Sequence, residues 1–551
     1  MDKIWLDRYQ QQIPAEINPN VYQSLNQCFQ EACRKFPLQP ALSFFQQTIS
    51  YKQWAELSRR LAAFLQQQLK LNKGTRVALM LPNCPQYMIA IFGVLQAGLI
   101  ITNVNPFYTV PEFTRQINHS QVEVLIVLSN FFSNVRDAIK KTSIKYVILT
   151  RLGDMLTWPK DWIVDISTCW LIKNQKRQNQ VMHTIDFLAA LKIGQNLTIA
   201  PIAIKPDDLA FLQYTGGTTG LPKAAMLTHR NLLANIEQLS AWVRPILKEG
   251  HETFITALPL YHIFSLMVNG LMCVRLGGNN CLIPNARNIK QLIQMLANTS
   301  FSTLLGVNTL FKALLKQKAF KNLDFTHLKI ALGGGAPIQS SVKIAWKEIT
   351  GKLLLEGYGL TEASPVVCAP PWDLVVAGRH VGLPLPSTAI RLCDNNENEI
   401  ALGEVGELWV KGPQVIKHYW GFGKIENALT RDGWFLTGDL ACMDQQGFVF
   451  IIGRKKELIL VSGFNVYPKE IEQVIEKNPK VKEVAVIGIP SDKTGEAIKA
   501  YVVKKDQSLT SNELLKNCRT ELTSYKLPSE IVFLDRLPKS TLGKILKKKL
   551  Q

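Results

Sequence analysis

Acidic residues are in short supply in this chain: 43 Asp and Glu stand against 63 Lys and Arg in 551 residues, a formal net charge of +20. Nucleic acid, an anionic lipid surface or anionic small molecules would each suit that excess. No RNA- or DNA-binding signature accompanies it, and the positive charge is scattered apart from the tail Lys544-Ile-Leu-Lys-Lys-Lys549, so nucleic acid is set aside. The ten cysteines contain no Cys-x-x-Cys pair, which argues against a zinc ribbon or a disulfide scaffold. Long apolar runs are missing too. Met88–Ile101 is broken by Gln96, and Phe254–Leu276 by Pro259, His262, Asn269 and Arg275, whereas a membrane helix needs about 20 predominantly apolar residues. Met1-Asp-Lys-Ile-Trp-Leu-Asp-Arg8 lacks the uninterrupted apolar core of a signal peptide. A cytoplasmic protein is expected, with any membrane contact peripheral. Hydrolase signatures are also lacking. No Gly-x-Ser-x-Gly elbow occurs, and after His251-Glu252 position 255 is Ile where a zinc protease needs its second histidine.

What is present begins with Tyr214-Thr-Gly-Gly-Thr-Thr-Gly-Leu-Pro-Lys223, directly after the apolar run Leu209-Ala-Phe-Leu212. Glycine lets the backbone approach a bulky anion. The N–H groups of Thr215, Gly216, Gly217, Thr218, Thr219 and Gly220, the threonine hydroxyls and Lys223 can then cradle phosphate oxygens. The common phosphate loop requires Gly-Lys-Ser/Thr, and Lys223 is followed by Ala224. A flexible polar turn is the bland reading of such a segment taken alone.

At this length the chain should divide into several domains. Arg76–Leu81, Val122–Leu128 and Tyr146–Leu149 read as buried strands, and Leu57–Leu69 and Asn231–Val243 as helices, the latter capped by Thr228. Alternation of strand and helix implies parallel sheets covered on both faces. From about residue 388 to 453 the texture becomes short β segments with turns at Asp394–Asn398, Gly403–Gly406, Arg431–Gly433 and Gln445–Gly447. A small antiparallel or barrel-like unit is expected there. Beyond Lys456, a helix at Tyr467–Glu476 with Glu470, Glu472 and Lys477 on solvated faces, strands at Val484–Gly488 and Ala500–Val503, a helix at Ser511–Leu522 and a strand at Ile531–Leu534 make an α+β domain. Arg151–Thr198 is the segment most prone to irregular structure.

Five further clusters follow the glycine loop: Leu332-Gly-Gly-Gly-Ala-Pro337, Gly357-Tyr-Gly-Leu-Thr-Glu362, Thr437-Gly-Asp439, Gly453-Arg-Lys-Lys-Glu457 with Ser462-Gly-Phe-Asn465, and Pro538-Lys-Ser-Thr-Leu-Gly-Lys544. In this order and spacing the six resemble the core motifs of the adenylate-forming acyl-CoA synthetase superfamily. The resemblance runs nearly end to end and is nearest to bacterial long-chain fatty-acid–CoA ligases. Three positions depart from the usual pattern: Ala224 after the loop lysine, Gly453 before the linker arginine, and His418 before Tyr-Trp.

The resemblance implies an N-terminal region 1–453 of two parallel-sheet α/β subdomains plus the β-rich one. A hinge would occupy 454–456, with Lys456 at its pivot, and a small mobile α+β domain 457–551. It implies an enzyme that uses ATP, Mg²⁺ and coenzyme A to activate a long-chain fatty acid. A carboxylate cannot be displaced by a thiol at neutral pH. Conversion to an acyl-adenylate, with pyrophosphate leaving, makes it reactive, and bringing two anions together requires positive charge and oriented donors. On this reading Lys223 and the loop, Tyr214 included, hold the β- and γ-phosphates, and Lys544 reaches the carboxylate and α-phosphate. Glu362 and Thr215 bind Mg²⁺. Asp439 takes the ribose hydroxyls with help from Arg454. Gly333, Gly334, Gly335, Ala336 and Pro337 with Tyr358 form the adenine slot, and Gly359 and Thr361 are further cofactor-binding positions. His262 and Val307 border the acyl site, and Gly463 lets the pantetheine arm pass. A peripheral association with the inner face of the membrane and a homodimer are compatible with it. The competing readings are an enzyme that loads a carrier protein and a non-catalytic acyl-binding uptake protein.

Overall fold

Strands that are apolar at nearly every position must be covered on both faces, and they set the frame of this chain. Val122–Leu128, with all but Glu123 buried, lies at the middle of a parallel array. The computed structural model describes residues 3–157, 183–214, 223–421, 425–462, 464–540 and 543–550. Among these, one nine-stranded sheet runs in the order Ile425–Asn427, His418–Trp420, Ala224–Thr228, Leu209–Tyr214, Ile100–Asn103, Arg76–Met80, Val122–Leu128, Tyr146–Thr150, His183–Asp186. The six strands from Leu209–Tyr214 onward are parallel, and the three before them are added antiparallel. A seven-stranded sheet runs Leu354–Glu356, Ile330–Gly333, Thr303–Gly306, Thr253–Thr256, Asn279–Leu282, Pro40–Phe44, Gln47–Ser50, parallel except for the final hairpin.

The expected helices appear, with shifts that have local causes. The helix expected at Leu57–Leu69 starts earlier, at Tyr51, because Ser50 and Gln53 form a capping box, and it ends in a π-helical turn at Phe64–Gln68. Thr228 caps His229–Val243 as anticipated, its side chain accepting from the Asn231 N–H. The apolar run Met88–Ile101 divides into the helix Pro85–Gln96, buried from Pro85 through Leu95, and the strand Ile100–Asn103. Helices that are apolar all round belong in a core. Among the described residues no helix is long and apolar enough to cross a membrane. Within the irregular candidate Arg151–Thr198, a strand His183–Asp186 leads into a helix Phe187–Gln195, and residues 158–182 lie outside the described residues.

The β-rich unit is an open antiparallel sheet, Ala389–Cys393, Gly406–Lys411, Phe435–Met443 and Val449–Arg454, rather than a closed barrel. Its turns fall at the expected Asp/Asn/Gly clusters: Asp394 N–H donates to Asn398 O and Gly447 N–H to Asp444 O. The region from Ile459 onward has its own five-stranded sheet and its own core, in which Ile471 and Ile475 of the helix Pro468–Glu476 and Leu514 and Cys518 of Ser511–Glu521 meet Val486 and Val502. Glu470 and Glu472, anticipated on solvated faces, are instead half-buried ion-pair partners of Lys526 and Lys547. Lys477 stays exposed, paired with Glu521.

Candidate active site

Ligands of open parallel sheets collect beyond the carboxyl ends of the strands. Here the carboxyl ends of both large sheets carry the candidate residues. Tyr214 ends one strand of the larger sheet, while Val307, the Gly334–Pro337 segment and Tyr358 follow Thr303–Gly306, Ile330–Gly333 and Leu354–Glu356 of the other. Buried amides lock the two sheets together at this level. Asn83 Nδ2 donates to Thr256 O and Leu258 O (2.8 and 2.9 Å), and Gln213 Nε2 donates to Tyr261 O (2.9 Å). Gln213 in turn accepts from Asn103 Nδ2 at 2.9 Å. The segment around His262 is thereby pinned from two sides.

The glycine loop joins two antiparallel strands whose last pair is Tyr214 with Ala224. Thr215, Gly216, Gly217, Thr218, Thr219 and Gly220 lie outside the described residues, but their anchors do not. Tyr214 Oη meets His119 Nδ1 at 2.6 Å. Lys223 Nζ lies 4.9 Å from the centre of the Tyr419 ring. Tyr419 stands there because His418–Trp420 adds a strand that pairs Tyr419 with Ala225 and Trp420 with Ala224. The Ala224 methyl is fully buried in that pairing. Tyr419 Oη donates to Glu362 Oε1 at 2.8 Å, and Glu362 O accepts from the Ile416 N–H. Glu362 sits in the short 3₁₀ turn Thr361–Ala363. Burial, then the neighbouring Glu362 charge, raises the Tyr419 hydroxyl pKa. The phenol therefore stays a donor to that carboxylate.

A second constellation forms where the antiparallel sheet meets the C-terminal unit. Asp439 and Arg454 are direct cross-strand partners. Asp439 Oδ1 accepts from Arg454 Nε at 2.8 Å and Oδ2 from Tyr358 Oη at 2.6 Å. Thr437 completes the cluster: its Oγ1 accepts from the Asp439 N–H at 3.0 Å, and its carbonyl accepts from Arg454 Nη1 at 3.2 Å. Burial pushes the Asp439 carboxyl above the usual range, while Arg454, the Tyr358 hydroxyl and Lys544 pull it back. Lys544 is an exposed residue whose charge acts on this group, and crowding by the protein around it, followed by repulsion from Arg454, lowers its own pKa. Lysine and aspartate lie 105 residues apart in sequence. A Cβ on Gly453 would meet nothing within 4 Å, so packing does not dictate glycine at that position.

Close packing limits the side chain at two points near these residues. A Cβ on Gly334 would press to 3.0 Å on the Phe264 ring, and one on Gly359 would collide with Pro365 O at 2.1 Å. Ala336 and Pro337 lead into Ile338, whose N–H donates to Glu356 at 3.2 Å. His262 is half-buried, and burial depresses its imidazole pKa to about 4, so it is neutral at physiological pH. Its apolar continuation is the wholly buried π-helical segment Leu266–Met272, a helix type concentrated at functional sites. Val307 caps the helix Asn308–Leu315, and Thr309 on that helix faces the Lys544 loop: a Cβ on Gly543 would lie 3.0 Å from Thr309 Oγ1. The loop that bears Lys544 thus lies against the helix that Val307 precedes.

Lys456 is exposed in the 3₁₀ turn Lys455–Glu457. Gly463 lies outside the described residues. Its neighbour Phe464 is exposed and stacks on Tyr525 at 4.6 Å. The sequence reading overlooked Tyr419 and Thr437. The first was legible only as the Tyr-Trp pair after His418, and the second as the leading residue of Thr437-Gly-Asp439. Among the described residues no group of three or more His, Cys, Asp or Glu side chains forms a metal cluster. A lone carboxylate such as Glu362 fits Mg²⁺, which is held by one or two carboxylates together with substrate phosphates.

Comparison with known proteins places these features in context. The AMP-binding enzyme family matches residues 29–420, and the AMP-binding enzyme C-terminal domain matches residues 470–544. The chain is 48% identical over 554 residues to a long-chain-fatty-acid–CoA ligase of Salmonella typhimurium, covering 100% of this chain and 98% of the relative. The ATP-bound crystal structure of MatB from Rhodopseudomonas palustris, 27% identical, covers 96% of this chain and 98% of its own, with a TM-score of 0.80. The apo form of MatB, at 28% identity and the same coverage, gives 0.72.

Proposed function

The chain belongs to the AMP-binding enzyme family, and on that premise we propose that it is an ATP-dependent ligase joining a long-chain fatty acid to coenzyme A through an acyl-AMP intermediate. AMP and pyrophosphate are the other products. The observation that carries this reading is the cluster in which Arg454 and Tyr358 hold Asp439, with the charge of Lys544 acting on it, in a chain 48% identical along its full length to a long-chain-fatty-acid–CoA ligase.

In the first half-reaction the fatty-acid carboxylate attacks the α-phosphorus of ATP. Lys544 neutralises the two anions as they approach, and Lys223 with the glycine loop holds the pyrophosphate that leaves. Asp439, oriented by Tyr358, Thr437 and Arg454, accepts hydrogen bonds from the ribose hydroxyls. Tyr358 and the Gly334–Pro337 backbone enclose the adenine. Glu362 and Thr215 are the proposed holders of Mg²⁺, which supplies charge neutralisation on the phosphates. Tyr419 aims the Glu362 carboxylate, a positioning role that a phenylalanine could not fill. In the second half-reaction the CoA thiol attacks the acyl carbonyl and AMP departs. We assign residues 457–551 as the mobile unit, turning about Lys456 so that Lys544 withdraws and the Ser462-Gly-Phe-Asn465 loop takes its place.

Free CoA should support turnover of palmitate with ATP in the absence of any carrier protein, measured as palmitoyl-CoA formed. Turnover only with a phosphopantetheine-bearing carrier would favour the carrier-loading enzyme. The +20 net charge supports a cytoplasmic protein that binds anionic lipid peripherally and reversibly. Binding to phosphatidylserine vesicles should fall as salt rises from about 0.05 to 0.5 M, as screening shortens the reach of surface charge. Retention at high salt, measured by vesicle co-sedimentation, would contradict an electrostatic attachment. A homodimer is part of the same proposal.

A further inference from the structure

The loop that carries Lys544 is a narrow hairpin. Ser540 N–H donates to Lys544 O at 2.7 Å, Lys544 N–H donates to Ser540 Oγ at 3.1 Å, and Lys539 pairs antiparallel with Ile545. Gly543, at φ +79°, makes the turn. A side chain on such a limb is directed only as well as the two limbs are held. The outgoing limb is fixed by Lys539, whose Nζ lies 2.6 Å from Glu483. On the returning limb Leu546 N–H donates to Pro538 O at 2.8 Å, and the next side chain, Lys547, turns inward.

Lys547 is 19% exposed, with its Nζ 2.8 Å from Glu472 Oε1 and 3.1 Å from Glu457 Oε2. Glu472 belongs to the helix Pro468–Glu476, and the same Oε1 accepts from the Val486 N–H at 2.8 Å, so that carboxylate is itself fixed to the strand Val481–Ser491. Glu457 closes the 3₁₀ turn that begins at Lys455, next to the proposed pivot. Burial works against the charge on Lys547, and the two carboxylates more than offset it, raising its pKa. The ammonium is therefore held charged between two acceptors. Two residues separate it from Lys544.

We propose that Lys547 is a positioning residue for acyl-AMP formation: bridging Glu457 and Glu472, it ties the limb that bears Lys544 both to the linker turn and to the rigid helix, and so sets where the Lys544 ammonium falls. This rests on the adenylation role assigned to Lys544 above. The bridge is confined to the C-terminal unit and the end of its linker. Its loss displaces Lys544 without touching the groups that would admit CoA. The unit keeps an independent anchor farther along, where Leu550 is buried with Ala485, Ile487, Val503 and Leu537, and Leu550 O accepts from Tyr501 Oη at 2.7 Å.

The test uses the full-length protein and separates the half-reactions, with palmitate-dependent exchange of pyrophosphate into ATP for the first and CoA attack on preformed palmitoyl-AMP for the second. Lys547→Met should lower exchange by about 10- to 100-fold, the range that a misplacement of about 1 Å produces. Its thioester step should stay within about threefold of wild type. Lys547→Arg, which can still bridge both carboxylates, should recover most of the exchange rate, and Lys548→Met, an exposed neighbour, should leave both steps unchanged. Because Lys547 acts through Lys544, Lys547→Met should add less than about twofold to the loss already present in Lys544→Ala. Should Lys547→Met be recovered in too little folded form, Glu457→Gln removes one arm of the bridge and should show the same selectivity at smaller amplitude. Equal losses in the two steps, an additive loss in the Lys544→Ala background, or no loss at all would overturn the inference. No exchange from the wild-type protein would instead overturn the functional reading, and this inference with it.

Discussion

Replacing Lys544 with alanine should slow acyl-AMP formation on the order of 10²-fold or more, the scale on which losing a charge-stabilising donor is felt, and should leave CoA attack on preformed acyl-AMP largely intact. Two anions must meet in the first step, and Lys544 of the C-terminal unit is a cation whose charge acts on the cluster of Asp439 and Arg454. In the second step the attacking thiol and the leaving AMP ask for no such cation. They ask for access to the acyl carbonyl, which a lysine parked beside it would obstruct. The complementary substitution is Gly463→Leu: a side chain on the proposed pantetheine path should block thioester release while acyl-AMP still forms. Single-turnover measurement of both steps in both variants checks the pair. Parallel losses in the two steps would rule out alternation of the C-terminal unit even if the ligase assignment stood.

Chain length should have an effect of comparable size. The run Ile263–Val268, buried except for the partly buried Phe264, and the segment Thr303–Leu310, which spans the strand Thr303–Gly306 and the start of the following helix, are the proposed tunnel walls. Each methylene transferred from water into such a wall contributes about 0.8 kcal/mol, roughly fourfold in kcat/KM if it is felt in the transition state. Five methylenes already amount to about 10³-fold. The specificity constant should therefore climb steeply from acetate through octanoate and level off where the tunnel is full. A panel of saturated acids assayed under one ATP and CoA concentration checks this. Acetate and palmitate with similar kcat/KM would make the long-chain assignment wrong.

Local signals carried most of the framework. Val122–Leu128 is a strand over the span its apolar run marks, and Thr228 caps the helix it precedes, because burial and capping are encoded within a few residues. Signals that depend on distant partners did not show. Nothing in Glu472 announces that a lysine 75 positions later will neutralise it, so its helix reads as having a solvated face there. Tyr419 reaches Glu362 and Lys223 only because its strand joins a sheet begun some 340 residues earlier. The four strands between Ala389 and Arg454 likewise carry turn signals that fix their antiparallel hairpins, but no local feature decides whether the sheet closes. The candidate site divides in the same way. Its glycine and Asp/Lys clusters stand out as motifs, while the bonds by which Tyr358, Thr437 and Arg454 aim Asp439 come from cross-strand register and tertiary packing.

The claim on which the rest depends is that the chain activates a fatty acid as its adenylate before CoA takes part. Exchange of labelled pyrophosphate into ATP by the purified protein, with palmitate present and CoA absent, tests it directly. The account predicts exchange that requires palmitate and Mg²⁺ and is depressed on the order of 10²-fold in Lys544→Ala. Palmitoyl-CoA formation with no palmitate-dependent exchange, or ATP cleavage indifferent to the acid, would contradict it.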